Sequence, residues 1–496
     1  MILVAGAILL ELQSARGSGI VIDCTETALR AAMGGGGVVT FACEGTITLT
    51  NTITITNDTA LEAGGRQVTV SGNGAVRLFF VYTNVQLSID HLIIANGFAS
   101  NGAALLNAGG TVKVTNSTFC GNYVLGSPPS PYSNVEGESV AGGAVANQGV
   151  LHLSNCTFSN NTAAGGPGGT AYGGLTGPAG GRGAGGAIWN SGLLLASGCT
   201  FSSNSAAGGM GGDGSSGEPL PWPTQGYPGG PGGEGAGGVL FNLGTTRLIN
   251  CTLAFNRGVG GAGGPGGPGY RPSPDYPPAI PGPGGPSGLS IGGIENASGP
   301  CYLTNCTIVF NSGTGISTIE TNGVKLINTL LAGNLPDGNG SGTMMDFGHN
   351  LSSDVTCAFT NVGSMNNIDP GLGALANNGG PTLTMALLPG SSAIDGGDDT
   401  AASAEDQRGL PRPIGPAVDI GAFEYGSPAL LTLAPSPTRG FDLVVIGKRG
   451  QACRLLASEG LINWQPIFTN QFGSDGTVVF HETAGPSRRF YRVLLP

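Results

Sequence analysis

The apolar positions of this chain fall in short runs, not in helical or heptad spacing. Runs of Val, Ile, Leu, Thr and Phe alternate with Gly and Asn. Short apolar runs bounded by turn residues read as β-strands. On this reading Val38–Phe41, Thr46–Thr56, Val68–Ser71 and Leu87–Ile94 are strands, and Thr25–Met33 is a short helix. A helix in that place would keep the first strand from acting as an exposed edge.

From about residue 102 the pattern repeats. A Phe-x-x-Asn step runs from Phe119 to Asn122, Phe158 to Asn161 and Phe201 to Asn204, with aliphatic versions ending at Asn256, Asn311 and Asn334. A Gly-Gly-apolar step precedes most of them, at Gly142-Gly143, Gly185-Gly186, Gly237-Gly238 and Gly292-Gly293. Successive Asn residues lie 39, 43, 52, 55 and 23 apart. Gly/Pro/Ser-rich segments occupy 123–141, 162–184, 205–236 and 257–291, lengths of 19, 23, 32 and 35 residues. Removing them leaves 20 residues each time. A constant unit with variable insertions at one place means stacked rungs with segments leaving one corner, because a single rung cannot bury its inner face alone. The expected fold is all-β, a right-handed parallel β-helix solenoid with insertions on one side. A leucine-rich repeat would need a Leu pattern that is missing.

Stacking turns repeat positions into columns. Asn116, Asn155, Asn250, Asn305 and Asn328 share one, with Gly198 substituting once, and are expected to form an amide ladder. Cys156, Cys199, Cys251 and Cys306 share the next, beside Ser117 and Thr329. They are expected as compact core residues, with inter-rung disulfides or a metal site as alternatives. The Asn-x-Ser/Thr sequons that the repeat creates, such as Asn155-Cys156-Thr157, belong to the same column and are read as ladder, not as glycosylation. Cys24 and Cys43 are the candidate disulfide.

Composition narrows the function. Gly is 93 of 496 residues, only 10% are charged and the net charge is −11. Lys and Arg total 19 and never cluster along the chain, which points away from nucleic acid and anionic membranes. Ile2–Leu10 followed by Gln13-Ser14-Ala15 makes residues 1–19 signal-peptide-like, without a basic n-region. That run is too short to span a bilayer. The expected divisions are 1–19; a capped β-helix over 20–365; a segment closing the solenoid over 366–426; and a small C-terminal β domain over 427–496.

Two family resemblances rest on these motifs. The paired Gly-Gly-Ala-Ile and Phe-x-x-Asn steps resemble polymorphic outer-membrane protein repeats, which are bacterial surface β-helices. The chain shows no C-terminal barrel pattern of that family, so self-secretion is not implied. Residues 366–426 resemble the choice-of-anchor Q segment through Asn378-Gly379-Gly380-Pro381-Thr382-Leu383-Thr384, Ala393-Ile394-Asp395, Asp406-Gln407-Arg408-Gly409 and Asp419-Ile420-Gly421-Ala422-Phe423-Glu424. These resemblances imply an extracellular or cell-surface protein. Asn463-Trp464 and Arg489-Phe490-Tyr491-Arg492 resemble a small β-rich terminal module of large bacterial secreted proteins.

Candidate chemistry is sparse. Glycoside hydrolysis needs two facing carboxylates, yet Glu136, Glu138, Asp213, Glu218, Glu234 and Asp275 lie in the inserts, with Glu295 and Glu320 in the rungs. Asp90-His91 is half of an acid–base pair at best. No catalytic set is expected; a polysaccharide lyase or hydrolase with an insert-borne site is the alternative. Asp395, Asp398 and Asp399, near Asp406 and Asp419, suggest calcium, or turn-forming Asp beside Gly, with Arg408 and Arg412 as competing partners. The inserts carry Tyr132, Tyr172, Trp222, Tyr227, Tyr270 and Tyr276, candidates for stacking on a polysaccharide or a cell-surface protein. Their Gly-Gly-Pro triplets are too short a run for collagen.

Overall fold

The computed structural model describes residues 18–426 except 131–132 and 321–322, and then 430–435, 440–446, 452–460, 463–473, 477–482 and 489–494. Tyr132 and residues 1–17 lie outside them.

The chain winds as a parallel β-helix with three long sheets. Sheet 1 has 11 strands, from Ser18–Val21 to Met344–Asp346. Sheet 2 has 10, from Gly45–Thr48 to Leu351–Ser352, and sheet 3 has 9, from Ile53–Ile55 to Gly340–Ser341. Every pairing in them is parallel, and register carries from rung to rung, as in Val112↔Leu151↔Leu194, apart from one shift between Ile291 and Ile294 in sheet 3. Inward residues form one apolar core in which Phe119, Phe158 and Phe201 stack with ring centroids 4.7 and 5.1 Å apart. Helix Glu26–Met33, N-capped by Thr25, packs Leu29 onto the first rungs. Cys24 and Cys43 are joined by a disulfide. At the other end Cys357 and Phe359 enter the same core.

The amide ladders run through columns other than the expected one. Asn107, Asn147, Asn190, Asn242 and Asn296 are linked side chain to side chain at 2.7–2.9 Å. Asn122, Asn161, Asn204, Asn256, Asn311, Asn334 and Asn339 are linked at 2.8–2.9 Å. Each interior member of the second ladder is fully satisfied. Asn204 Nδ2 donates to Asn256 Oδ1 and to Phe158 O, and its Oδ1 accepts from Asn161 N and Nδ2. Asn116, Asn155, Asn250, Asn305 and Asn328 instead occupy the turn from sheet 1 to sheet 2, with φ between 49° and 54°. Asn tolerates that left-handed conformation better than most residues, which explains the column. Within it only Asn155 to Asn116 approaches an amide link, at 3.5 Å.

Cys156, Cys199, Cys251 and Cys306 are fully buried free thiols, each facing the carbonyl two residues before it at 3.2–3.4 Å. Burial pushes the Cys199 and Cys306 thiols well up, and Cys301 and Cys357 up to about 12.

The Gly/Pro segments form a second body of regular structure. After each second-ladder Asn, a short strand (Tyr123–Leu125, Thr162–Ala164, Ser205–Ala207, Arg257–Val259) starts an outgoing arm, and a returning arm ends at the Gly-Gly step. The arms bond to their neighbours at every third residue. Outgoing Gly211, Gly214 and Gly217 donate to Ala262, Pro265 and Pro268, and returning Gly226, Gly229 and Gly232 donate to Ile280, Pro283 and Pro286. Gly233 to Gly209 and Gly264 to Gly230 join the two layers. A three-residue repeat of extended backbone without internal hydrogen bonds is polyproline II. The inserts are thus a two-layer polyproline II bundle, not spacer loops. Glycine is obligatory where arms touch: a Cβ on Gly212 would sit 1.8 Å from Gly169 O.

Residues 366–426 do not close the end of the solenoid. They lie along its side, over the outer face of sheet 2, where Met385, Leu387, Ala393, Ile420 and Phe423 pack on Ala254, Val309, Leu330, Ala332 and Leu351. Beyond residue 426 the described strands form two small antiparallel sheets around Val445, Cys453, Phe472 and Val478.

Two outcomes follow in urea unfolding and limited proteolysis. Asn204→Ala orphans several buried groups and is expected to cost about 3 kcal/mol, against about 1 kcal/mol for Asn155→Ala. Equal losses would mean that the ladder is misplaced. Gly212→Ala is expected to open segment 205–236 to protease while the β-sheet circular dichroism persists; an unchanged digestion pattern would contradict the close packing.

Candidate functional site

A wide, open concavity lies at the outer end of the polyproline II bundle. Its origin is the unequal insert length. The second insert turns back at Tyr172-Gly173-Gly174, whereas the third and fourth run on, leaving a step. The step is a cavity of about 840 Å³ lined by Tyr172, Asp213, Ser216, Glu218, Leu220 and Pro268, among others. Tyr172 is 53% exposed, and its backbone N–H donates to Asn134 Oδ1 at 2.9 Å. Tyr227 Oη donates to Glu218 Oε1 at 3.2 Å, and the Ser215 hydroxyl accepts from Leu175 N at 2.8 Å. The tips of the third and fourth inserts are tied by reciprocal backbone bonds of Thr224 and Tyr270 at 2.9 and 3.0 Å. Of the aromatic candidates, Tyr172 lines the cavity and Tyr227 reaches Glu218 beside it. Trp222 and Tyr276 are exposed elsewhere on the tips, and Tyr270 is half-buried in the bridge. Pattern reading places Asp213 and Glu218 only as insert carboxylates; the insert-length difference is the signal that brings them to Tyr172.

The other candidates resolve into structural roles. His91 takes a left-handed turn (φ 56°), and its Nδ1 lies 2.6 Å from Asp90 Oδ2. Asp90 also accepts from Thr115 Oγ1 at 2.5 Å and Asn116 Nδ2 at 3.1 Å. Burial alone would raise this carboxyl, but those hydrogen bonds outweigh it and hold the pKa low. Asp90 therefore ties one turn to the next rung.

Glu295 is 2% exposed beside Glu234 and Arg182, and burial, then Glu234, pushes its carboxyl up to about 7. Arg182 pairs with Glu234 at 2.5 Å. This buried acid sits in the wall between bundle and solenoid, closed to a polymer.

Asp395, Asp398 and Asp399 do not converge as calcium ligands. Asp398 Oδ1 accepts from Thr400 N and Oγ1 at 2.8 Å, Asp399 Oδ1 accepts from Val418 N at 2.8 Å, and Asp395 Oδ1 faces Ala417 N at 3.5 Å. Among the described residues no three His, Cys, Asp or Glu side chains are grouped as metal ligands would be. The acidic motif residues form a docking network instead. Arg412 and Glu424 pair at 3.2 Å with both side chains fully buried, and Arg408 pairs with Asp406 at 2.8 Å while lying 3.7 Å from the Phe423 ring centroid. Gln407, Thr382, Asp398 and Ser403 bond to Thr252, Gly198 O, Asn328 and Asn250. The expected ladder column is thus partly the seam on which this segment docks.

Compared with known proteins, the chain matches no family model and no curated protein. Among the described residues no helix is long and apolar enough to cross a membrane.

Burial, then Glu424, pushes the Asp419 carboxyl up to about 7, from an ordinary value of 3.8. Between those values the unfolded chain ionises this group while the folded chain keeps it protonated, so stability falls as pH rises through that window and levels off above it. Glu295 and Glu424 act with the same sign. Asp419→Asn is expected to flatten part of the decline in urea titrations from pH 4 to 8; an unchanged slope would contradict the buried, neutral Asp419.

Proposed function

We propose that this chain is a secreted or cell-surface scaffold that displays a carbohydrate-binding cleft at the outer end of its polyproline II bundle. One observation carries the reading: an exposed tyrosine and two carboxylates share a large cavity on a body stiffened by regular backbone hydrogen bonds. Sugar rings stack on aromatic faces, and their hydroxyls donate to carboxylates. Asp213 and Glu218 repel anions, so the favoured ligand is a neutral or amino sugar. Mounting these groups on a rigid base lowers the ordering cost of binding. The resemblances to polymorphic outer-membrane protein repeats and to the choice-of-anchor Q segment support surface display, and the Cys24–Cys43 disulfide supports an oxidising compartment.

The test is a panel of neutral, amino and acidic polysaccharides, read for retention and for released reducing or unsaturated ends in the same tubes. Retention without release is expected. Tyr172→Ala and Glu218→Gln should each weaken it about tenfold, from loss of a stacked ring or a charge-assisted hydrogen bond. Release of ends would assign an enzyme instead, and retention indifferent to both substitutions would remove the cleft from the reading.

A further inference from the structure

The basic residues that never cluster along the chain do align across the rungs. On the outer face of sheet 1, register places Lys113, His152, Leu195, Arg247, Tyr302 and Lys325 in one column. Rungs are about 4.8 Å apart, so Lys113 to Lys325 spans roughly 24 Å. The strands from Thr111–Thr115 to Val324–Ile327 contain no Asp or Glu, although the chain as a whole carries −11. Glu62 and Asp90 lie in the preceding strands, and Asp346 in the one after.

The column is also concave. A groove of about 290 Å³ opens over Leu195, between Lys113 and His152 on one side and Arg247 on the other. Two residues along each strand, Thr115, Ser154 and Ser197 line it with hydroxyls. Beyond it Tyr302 is flanked by Arg247, 5.3 Å from the ring centroid, and by Lys325 at 4.8 Å. Burial, then the Lys113 charge, holds the His152 imidazole below its usual value, so at neutral pH it is a neutral hydrogen-bonding group.

We infer that this outer face of sheet 1 is a second binding surface, for a linear acidic polysaccharide lying along the solenoid axis across the rungs. Lysine and arginine would take the carboxylates or sulfates and the hydroxyl row the sugar hydroxyls, while Tyr302, lying between Arg247 and Lys325, holds those two cations in line. Charge spacing selects this occupant over a nucleic acid. The cations stand roughly 10–14 Å apart along the column, whereas a DNA strand presents a phosphate about every 3.4 Å. The surface is separate from the acidic bundle cleft and opposite to it in charge.

The full chain is tested by surface plasmon resonance against three immobilised probes: hyaluronan, neutral dextran and poly(dT). Hyaluronan binding that fades with added salt is expected, weakened at least ~10-fold by the triple variant Lys113→Ala/Arg247→Ala/Lys325→Ala. Lys113 and Arg247 are exposed and Lys325 is half-buried against Tyr302, so the melting temperature should fall only slightly. Tyr302→Ala is a single-site second variant expected to weaken binding several-fold. Tyr172→Ala and Glu218→Gln, in the bundle cleft, should leave hyaluronan binding intact. Absence of hyaluronan binding, binding unaffected by the triple variant, or equal or tighter binding to poly(dT) would overturn the inference.

Discussion

From Gly97 onward, each rung of this molecule depends on a buried amide. Where the chain leaves sheet 2 it must turn, and a turn exposes backbone groups that a β-ladder no longer pairs. In the second ladder Asn122, Asn161, Asn204 and their successors supply those bonds from inside the solenoid, each amide reaching the next rung and the carbonyl of a neighbouring strand. An unsatisfied amide here would cost more than a lost hydrogen bond elsewhere, because water cannot replace it. Register, and with it the alignment of every outward column, follows from that constraint.

The ladders also explain why the chain tolerates long insertions. The inserts leave just after the second ladder and rejoin at the Gly-Gly step, so the rung is closed on both sides of the excursion. At Gly142, Gly185 and Gly237 φ lies between 64° and 68°, a turn open mainly to glycine. The excursions then inherit the spacing of the rungs, and arms launched about 4.8 Å apart can bond to one another as polyproline II strands. The glycine content that looks like low complexity is the packing requirement of that bundle. The step between unequal arms makes the cleft, so a change in insert length is a change in binding surface.

The conspicuous acidic motifs have a different purpose. Asp406, Arg408, Arg412, Asp419 and Glu424 are buried ions and acids that hold a side layer in one pose on sheet 2. Buried ion pairs are weak sources of net stability, but breaking one partner is expensive. Their arrangement specifies how the segment docks, and the docking consumes the turn column that would otherwise present Asn250 and Asn328 to solvent.

By itself the sequence determined the solenoid, the corner from which the inserts leave, the N-terminal helix and the pairing of Cys24 with Cys43. Those follow from period and composition, which are local quantities. It did not determine which asparagine column forms the ladders, because both columns repeat with the same period, and only the direction of the side chain, inward or into a left-handed turn, separates them. Nor did it determine that the inserts are ordered, that residues 366–426 lie beside the solenoid, or that Lys113, Arg247 and Lys325 share one face. These are contacts between residues that lie scores of positions apart in sequence, and variable inserts hide that register until the rungs are stacked.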